Sequence, residues 1–336
     1  MTVWSEVQEE LEKTKKPDGS ISYDLIRRRI LTELSEYVKR PVLLYAADFL
    51  NEHKARASGG DINIDWNDKE GINEAILDLP AGPLDVVLHS PGGVAEAAES
   101  IVAILRSKFS PIRFIIPNIA KSAATMLALS ADEILMDSNA ELGPIDPQFV
   151  IPKGDGSTVL CPAQAIKDQF QMANDLLSKN PKDLPVWIPI LQQYGPSLLK
   201  EAENAMALSQ ELVIRWLMMY MFASDREAQV KAEKVAKYFS DHNLFRTHSR
   251  RIGLREIRDN DLALRVINTE EDRTLHHRIL RLYAAISHTF GNTGAYKMYE
   301  NSQGQGLFRL VPVQVVRRAP TPPAAPPPRG KKKKKR

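Results

Sequence analysis

The chain has very little cysteine, since Cys161 is the only one among its 336 residues. A single thiol excludes a disulfide framework and a four-cysteine zinc site. Long apolar runs are also missing, because the nearest candidate, residues 216–223, falls well short of the ~20 apolar residues that a membrane-spanning helix needs. The first residues lack the basic segment and apolar run that are typical of a signal peptide, so we expect a cytoplasmic location.

Most of the chain also lacks an excess of charge of one sign. Lys plus Arg total 45 and Asp plus Glu total 42, which gives a formal net charge of +3. Seven positive charges lie in the last eight residues, 329–336, and without them the net charge is −4. This balance argues against a general nucleic-acid-binding face. With 43% hydrophobic and 26% charged residues, the composition is typical of a globular protein and excludes a collagen or a wholly disordered chain.

Two nucleotide-binding motifs are absent. Gly92 and Gly93 follow a predicted strand, but no third glycine stands at the spacing of the dinucleotide fingerprint. The P-loop motif is absent as well, so the sequence does not indicate an ATPase. We expect neither a metal ion nor an organic cofactor.

The pattern of apolar and polar residues predicts three segments. Residues 1–40 are highly charged and show apolar residues at helical spacing, which predicts an N-terminal helical extension. Residues 41–318 are expected to form the main domain, with successive helices in its later part. Residues 319–336 combine six prolines with a lysine run, and this composition favours a disordered tail. The tail could bind an anionic partner, either a membrane surface or a nucleic acid; a solubilising role is the alternative.

Short apolar strands and amphipathic helices alternate in the first half of the main domain. Strands are predicted at residues 84–88, 112–116 and 133–136, and helices at residues 94–108 and 122–130. Alternation at this spacing favours βαβ units and a mostly parallel sheet. The expected fold class is therefore α/β.

Two turns in this region combine small residues with groups that are suited to catalysis. Gly92 and Gly93 open a helix after a strand, where backbone amides and the helix dipole can hold an anion or an oxyanion. Ser122 opens the next helix between small neighbours that would admit a substrate backbone, although a helix-capping role is the alternative. Because ligands in open α/β sheets bind at the carboxyl ends of strands, both turns are expected to face one site.

Four short motifs follow one another in this region: HSPGG at 89–93, AKSAAT at 120–125, ADEILMD at 131–137 and LGPIDPQ at 142–148. In this order and spacing they resemble motifs of the Clp/crotonase superfamily. The resemblance is closest to its serine dehydrogenase proteinase family, relatives of signal peptide peptidase A, and it covers about residues 40–170. A weaker resemblance includes residues 239–242, 247–248 and 252–253. The resemblance as a whole implies a ββα-repeat core with a mostly parallel sheet and a helical C-terminal extension. It also implies a homo-oligomer and a peptide or protein substrate.

The resemblance also implies roles for individual residues. Ser122 would be the nucleophile, and the amides of Gly93, Gly92 and Ala123 would form the oxyanion hole. No histidine follows Ser122 by about 25 residues, where Clp proteolytic subunits carry their base, so a triad of that type is not expected. Signal peptide peptidases use a lysine roughly 40 to 50 residues after the serine, which implies Lys167 as the general base.

A lysine can act as a base only where burial lowers its pKa, so the environment of Lys167 is decisive. Lys167 flanks the apolar stripe of a predicted helix, and a solvated side chain is the alternative. Lys121 and Lys153 are the other candidates for the general base. The side chain of Lys121 is expected to point away from Ser122, its neighbour in sequence, and Lys153 lies in a glycine-rich loop where we expect it to be exposed. The resemblance also allows the base to come from a neighbouring protomer.

The histidines receive no catalytic role from the sequence pattern. His89 ends a predicted strand and is expected in the core or behind the site. His242 and His248 are six residues apart, and a structural loop is favoured over a metal site there.

The sequence as a whole predicts a serine-type endopeptidase. Two alternatives stay open. One is an inactive assembly or binding module of the same fold, and the other is an acyl-CoA enzyme of the crotonase type.

Overall fold

The computed structural model describes residues 2–153, 155–193 and 195–311, so the tail predicted at 319–336 lies outside the described residues. The helices are α1 (Val3–Lys13), α2 (Tyr23–Val38), α3 (Glu52–Ala57), α4 (Asp68–Ile76), α5 (Ala95–Arg106), α6 (Ala123–Leu129), α7 (Ala163–Lys179), α8 (Leu184–Leu191), α9 (Leu198–Met219), α10 (Ala228–Ser240), α11 (His242–Phe245), α12 (Leu254–Asp259) and α13 (Arg273–Asn292). The strands are β1 (Val42–Ala47), β2 (Gly82–His89), β3 (Phe109–Ile116), β4 (Ile119–Ala120), β5 (Glu133–Met136), β6 (Glu141–Leu142), β7 (Gln148–Pro152), β8 (Thr158–Pro162), β9 (Val266–Asn268), β10 (Ala295–Asn301) and β11 (Gly306–Leu310). Within these ranges, no helix has the length and apolar character needed to cross a lipid bilayer.

A seven-stranded sheet in the order β11-β10-β1-β2-β3-β5-β9 forms the centre of the fold. The five strands from β1 to β9 in this order pair in parallel, whereas β10 and β11 add an antiparallel edge. β1 has the sequence VLLYAA and is buried at every position, as expected for a parallel strand that is covered on both faces. The predicted α/β class with a mostly parallel sheet is therefore confirmed.

The register of the parallel strands separates two hydrophobic cores. Leu44, Val87, Ile115 and Leu135 lie side by side across the sheet and face α1, α2 and α13. The adjacent row, with Val86 and Phe114 at its centre, faces α4, α5, α6, α9 and α10. The N-terminal helices predicted within residues 1–40 therefore cover the central strands on one face of the sheet together with α13.

The later part of the chain is helical, as predicted, and includes a short helix in a proline-rich stretch. Prolines stand at 181, 185 and 189, and residues 184–191 form this helix, α8. Pro185 lies in the first turn of this helix, where a backbone N–H has no intrahelical partner to lose. Because α8 is so short, Pro189 interrupts only its last turn.

Short bridges beside the main sheet gather the loops at its carboxyl edge. β4 pairs with β6, and isolated bridges join Ser90 to Ala120 and Leu142 to Ile252. The β7–β8 hairpin packs with α7 and α9 around a separate small apolar cluster next to this edge. The turn after β2, the turn before α6 and the loop after β6 are thereby held close together.

Candidate active site

A cleft of about 600 Å³ opens where these loops meet. Gly93 from the turn after β2, Ser122 from the turn before α6 and His248 from the loop after α11 all line it. Its apolar lining includes Val94, Met126, Ile145, Phe149, Leu160 and Leu208. The structure thus brings the two turns together, as their positions in the βαβ units predicted, and it adds a histidine that the sequence pattern did not select.

Ser122 lies on a sharp turn at the N-terminus of α6. Its backbone has φ 49° and ψ −123°, a combination that residues other than glycine rarely adopt. The side chain occupies the N-cap position but makes no capping hydrogen bond. The alternative role of Ser122 as a helix cap is therefore not realised, and the hydroxyl is free at the surface of the cleft.

Gly92 gives the Ser122 turn the space that it occupies. A Cβ atom on Gly92 would lie 2.4 Å from the carbonyl oxygen of Lys121 and 2.7 Å from Ser122 Cβ. Gly92 also has φ +91°, which favours glycine. Its N–H donates to Ser90 Oγ at 3.2 Å, so this amide is already occupied. Gly92 therefore supplies room for the turn and not the free donor that the resemblance implied.

Two backbone amides at the cleft remain available for an oxyanion. Among the described residues, the N–H groups of Gly93 and Ala123 have no hydrogen-bond acceptor, and both residues line the cleft. Gly93 is fixed by its neighbours, since the N–H of Ile64 donates to the carbonyl of Gly92 at 2.7 Å and the N–H of Val94 donates to the carbonyl of Ile64 at 2.9 Å. Both residues, Gly93 and Ala123, thus line the same cleft as Ser122.

His248 is oriented by a buried carboxylate. Asp146 is 2% exposed, and its Oδ1 accepts a hydrogen bond from His248 Nδ1 at 2.7 Å. The loop that carries Asp146 is anchored by the Ile145 N–H, which donates to the carbonyl of Phe239 at 2.8 Å. With Nδ1 donating to Asp146, Nε2 of the neutral imidazole is a proton acceptor. In the part of the chain that the structure describes, neither His248 Nε2 nor Ser122 Oγ has a hydrogen-bond partner.

Sequence reasoning missed Asp146 and His248, although two signals pointed to them. Asp146 follows Ser122 by 24 residues, the position where the resemblance implies the histidine of a Clp-type triad. His248 lies within the weaker motif at residues 247–248. The sequence pattern favoured a structural loop role for His242 and His248, and the structure shows that both imidazoles bond to Asp146.

The three candidate lysines lie elsewhere. Lys167 is exposed on α7 and does not line the cleft, so within one chain it lacks the burial that a lysine base requires. Lys153 is also exposed. Lys121 points away from Ser122, as expected, because Nζ donates to the carbonyls of Leu142 and Arg250 at 3.0 and 3.3 Å. Burial lowers the pKa of Lys121.

His89 lies in the core behind the Gly92 turn, in line with the expectation for it. It is 4% exposed, packs between the rings of Phe49 and Tyr283, and accepts a hydrogen bond from the N–H of Ile119 at Nδ1. Burial lowers the pKa of His89 to about 4. No group of three or more His, Cys, Asp or Glu side chains within the described ranges could hold a metal ion.

Comparisons with known proteins found a family model and two relatives that match part of the chain. Residues 62–184 match the family model described as ClpP-like SDH-type serine proteinase. Over 83 residues the chain is 45% identical to two proteins of Methanocaldococcus jannaschii, Uncharacterized protein MJ0137 and Uncharacterized protein MJ1495. These alignments cover 24% of this chain and 29% and 28% of the two relatives, so they span less than a third of the relatives' length.

Three solved structures resemble the chain at TM-scores of 0.31 to 0.33. One is a mutant of the 1510-N membrane-bound stomatin-specific protease, with TM-score 0.33 and 15% identity over 67% of this chain and 78% of that chain. Another is a mutant of the same protease in complex with a substrate peptide, with TM-score 0.31 and 15% identity over 68% and 72% of the two chains. The third is a mutant of ClpP1 from Listeria monocytogenes, with TM-score 0.31 and 13% identity over 72% and 99%.

The family match includes the loops that build the cleft. Gly93, Ser122, Ala123 and Asp146 all lie within the matched segment, and His248 joins them from a later part of the chain. The segment from residue 62 to residue 184 is therefore similar to the ClpP-like SDH-type serine proteinase family.

Proposed function

We propose that the protein is a serine peptidase in which Ser122 attacks the peptide carbonyl and His248 takes its proton. The observation that carries this proposal is the presence of Ser122 and of the Asp146-bonded His248 in one cleft. Nucleophile, base and orienting carboxylate are the three parts that acyl transfer by serine requires.

The proton path follows from the hydrogen bonds of His248. Asp146 holds Nδ1–H, so Nε2 can accept the proton of the Ser122 hydroxyl when the serine attacks. The imidazolium that forms is stabilised by the carboxylate, and it then gives its proton to the leaving amine. The bond between Ser122 and His248 forms when a substrate fills the cleft, since such bonds are often long in the free enzyme.

The backbone amides of Gly93 and Ala123 stabilise the negative charge of the tetrahedral intermediate. Both N–H groups lack another acceptor, which supports this role. Loss of one oxyanion-hole donor typically costs about 3 to 4 kcal/mol of transition-state stabilisation. Water then hydrolyses the acyl-enzyme, with His248 as the base for the second step.

Peptides or proteins are the proposed substrates, and the active form is a homo-oligomer. Exposed apolar side chains on the β7–β8 hairpin and α8 support an interface between copies of the chain, since Val150, Leu160 and Val186 are 63%, 62% and 71% exposed. The cytoplasmic location stays a prediction, as does cleavage within a chain rather than at its ends.

The test compares four proteins in two assays. Wild type, Ser122→Ala, His248→Ala and Lys167→Ala are assayed with fluorescein-labelled casein and with a fluorophosphonate that labels reactive serines. Size-exclusion fractions of known mass are used, so that activity can be assigned to an oligomer. Ser122→Ala should lose cleavage and labelling, His248→Ala should lose about 1000-fold in kcat/KM or more, and Lys167→Ala should match wild type.

Three results would count against the proposal. Cleavage that persists in Ser122→Ala would rule out Ser122 as the nucleophile. A folded Lys167→Ala that is inactive, beside a His248→Ala that is active, would return the role of base to the lysine. Thermal protection by a CoA thioester, without cleavage of casein, would favour the acyl-CoA alternative.

A further inference from the structure

The carboxylate of Asp146 binds two imidazoles and not one. Its Oδ1 accepts from His248 Nδ1 at 2.7 Å, and its Oδ2 accepts from His242 Nδ1 at 2.9 Å. Among the described residues, these two rings are the only hydrogen-bond donors to this carboxylate. His248 lines the cleft, whereas His242 does not. The imidazole of His242 is therefore linked to the cleft through the carboxylate of Asp146.

The position of His242 is held by hydrogen bonds of the residues around it. It is the first residue of α11, and the side chain of Asp241 caps that helix by accepting from the N–H of Leu244 at 2.9 Å. Just before it, Phe239 is fully buried, and its carbonyl accepts from the N–H of Ile145. The segment that carries His242 and the loop that carries Asp146 are thus joined by a backbone bond as well as by the side chains.

We propose that His242 is a positioning residue for the peptidase reaction and acts on His248 through Asp146. This inference rests on the proposed function. A carboxylate that is bonded at one oxygen can rotate about its Cβ–Cγ bond, and the orientation of the histidine it holds then varies. The second imidazole fixes the plane of the carboxylate, so that Oδ1 stays in line with His248 Nδ1.

Other roles for His242 fit the geometry less well. A direct role as base would require it to reach the cleft, which it does not line. A metal site would require three suitable side chains grouped around one point, and the described residues contain no such group. Loss of His242 would leave Oδ2 of a nearly buried carboxylate without its partner, which is unfavourable unless the side chain moves.

The experiment uses two substitutions of His242, one that removes its hydrogen-bond donor and one that keeps a donor. His242→Phe keeps a ring of similar size but cannot donate a hydrogen bond, whereas His242→Asn places an amide N–H near the position of Nδ1. The readouts are kcat and KM for fluorescein-labelled casein, and the rate constant for inactivation by diisopropyl fluorophosphate. The second readout reports the reactivity of Ser122 without a bound peptide. His277→Phe, on the exposed surface of α13, is the matched control.

We expect His242→Phe to lower kcat and the inactivation rate constant together by about 10- to 100-fold, the effect typical of removing an outer hydrogen-bond partner. KM should stay within about twofold of wild type, because His242 does not line the cleft. His242→Asn should recover most of the lost rate, and His277→Phe should match wild type. Should the phenylalanine variant not fold, His242→Ala is assayed with added imidazole, which should raise its rate.

The inference is overturned if His242→Phe is folded and retains wild-type kcat, or if neither asparagine nor added imidazole restores the lost rate. This failure is distinct from failure of the proposed function. If Ser122→Ala and His248→Ala are inactive while His242→Phe is fully active, the peptidase stands and only the positioning role falls. If His248→Ala is fully active, the proposed base itself is wrong.

Discussion

At the scale of one residue, the backbone of Ser122 determines where its hydroxyl lies. A backbone at φ 49° and ψ −123° costs about 1 to 3 kcal/mol for a residue other than glycine. Neighbouring bonds hold it there, since Thr125 Oγ1 donates to the carbonyl of Ala120 at 2.8 Å and accepts from the N–H of Gly143 at 2.9 Å. The strain keeps the hydroxyl out of the helix cap and directs it to the cleft.

Gly92→Ala is predicted to remove activity through its contact with this turn. The new Cβ would lie 2.4 Å from the carbonyl oxygen of Lys121, so the turn that carries Ser122 must move. We expect a loss of at least about 100-fold in kcat/KM, because a displacement of about 1 Å at a reacting group has that effect. Casein cleavage and thermal unfolding are the measurements.

Gly82→Ala is the matched control for Gly92→Ala. Gly82 also has a positive φ, +117°, but nothing lies within 4 Å of its added Cβ. It should share the cost in stability from backbone strain while keeping its kcat. Equal kinetic losses in the two variants would show that strain alone, and not the approach to Ser122, explains the effect.

At the scale of elements, a buried polar cluster fixes the segment that pairs with Gly93. Lys297 on β10 donates to Asp68 Oδ1 and to the carbonyl of Asn63, both at 2.6 Å, and Lys297 and Asp68 are fully buried. Tyr45 and Tyr299 also donate to Asp68. Burial raises the pKa values of both tyrosines well above the ordinary value for tyrosine. Both hydroxyls therefore stay protonated and can donate hydrogen bonds. Asn63 precedes Ile64, so this cluster supports one wall of the cleft.

Lys297→Met is predicted to destabilise the protein by about 3 to 5 kcal/mol, because it leaves the charge of Asp68 buried without its partner. The double variant Lys297→Met/Asp68→Asn should recover part of this loss, since the buried charge is then gone as well. The measurement is the urea dependence of unfolding for both single variants and the double variant. Strictly additive losses would contradict a direct coupling between the two side chains.

At the scale of the whole molecule, the sheet is enclosed by helices on both faces, and His89 lies in this interior. Its pKa of about 4 lies below its ordinary value of 6.5, because burial disfavours the charged ring. As pH falls below 6.5 the unfolded chain binds a proton that the folded chain does not. The folded state therefore loses about 1.4 kcal/mol per pH unit from this residue, until pH reaches about 4.

His89→Gln should accordingly flatten the pH dependence of stability. We expect wild type to lose about 3 kcal/mol more than the variant between pH 6.5 and pH 4, whatever their difference at neutral pH. Burial also lowers the pKa of His288, but this residue is present in both proteins and its contribution cancels. His53→Gln, at an exposed position, should keep the wild-type slope. Parallel curves for wild type and His89→Gln would refute the assignment.

The sequence could predict the turns that carry Ser122 and Gly93, but it could not predict the side chain that faces them. The strands at residues 84–88, 112–116 and 133–136 lie inside β2, β3 and β5, because runs of apolar residues followed by turns report local structure. Ser122 and Gly93 could be selected because each lies where a predicted helix begins after a strand and a short loop, and because each lies within a motif of the resemblance. The prediction of Lys167 rested on the resemblance, on its distance from Ser122 in the sequence and on its place beside an apolar stripe, and none of these fixes the burial that a lysine base needs.

The sequence by itself determined the α/β class, the two turns with small residues and the absence of a nucleotide-binding fingerprint, because each depends on residues that are close together in the chain. Only the tertiary structure decided that His248, oriented by Asp146, lines the cleft beside Ser122. Asp146 and His248 are 102 residues apart, and Asp146 and His242 are 96 apart. Pairs at such separations are set by how α10 and α11 pack against the loop after β6, and no local pattern of residues encodes that packing.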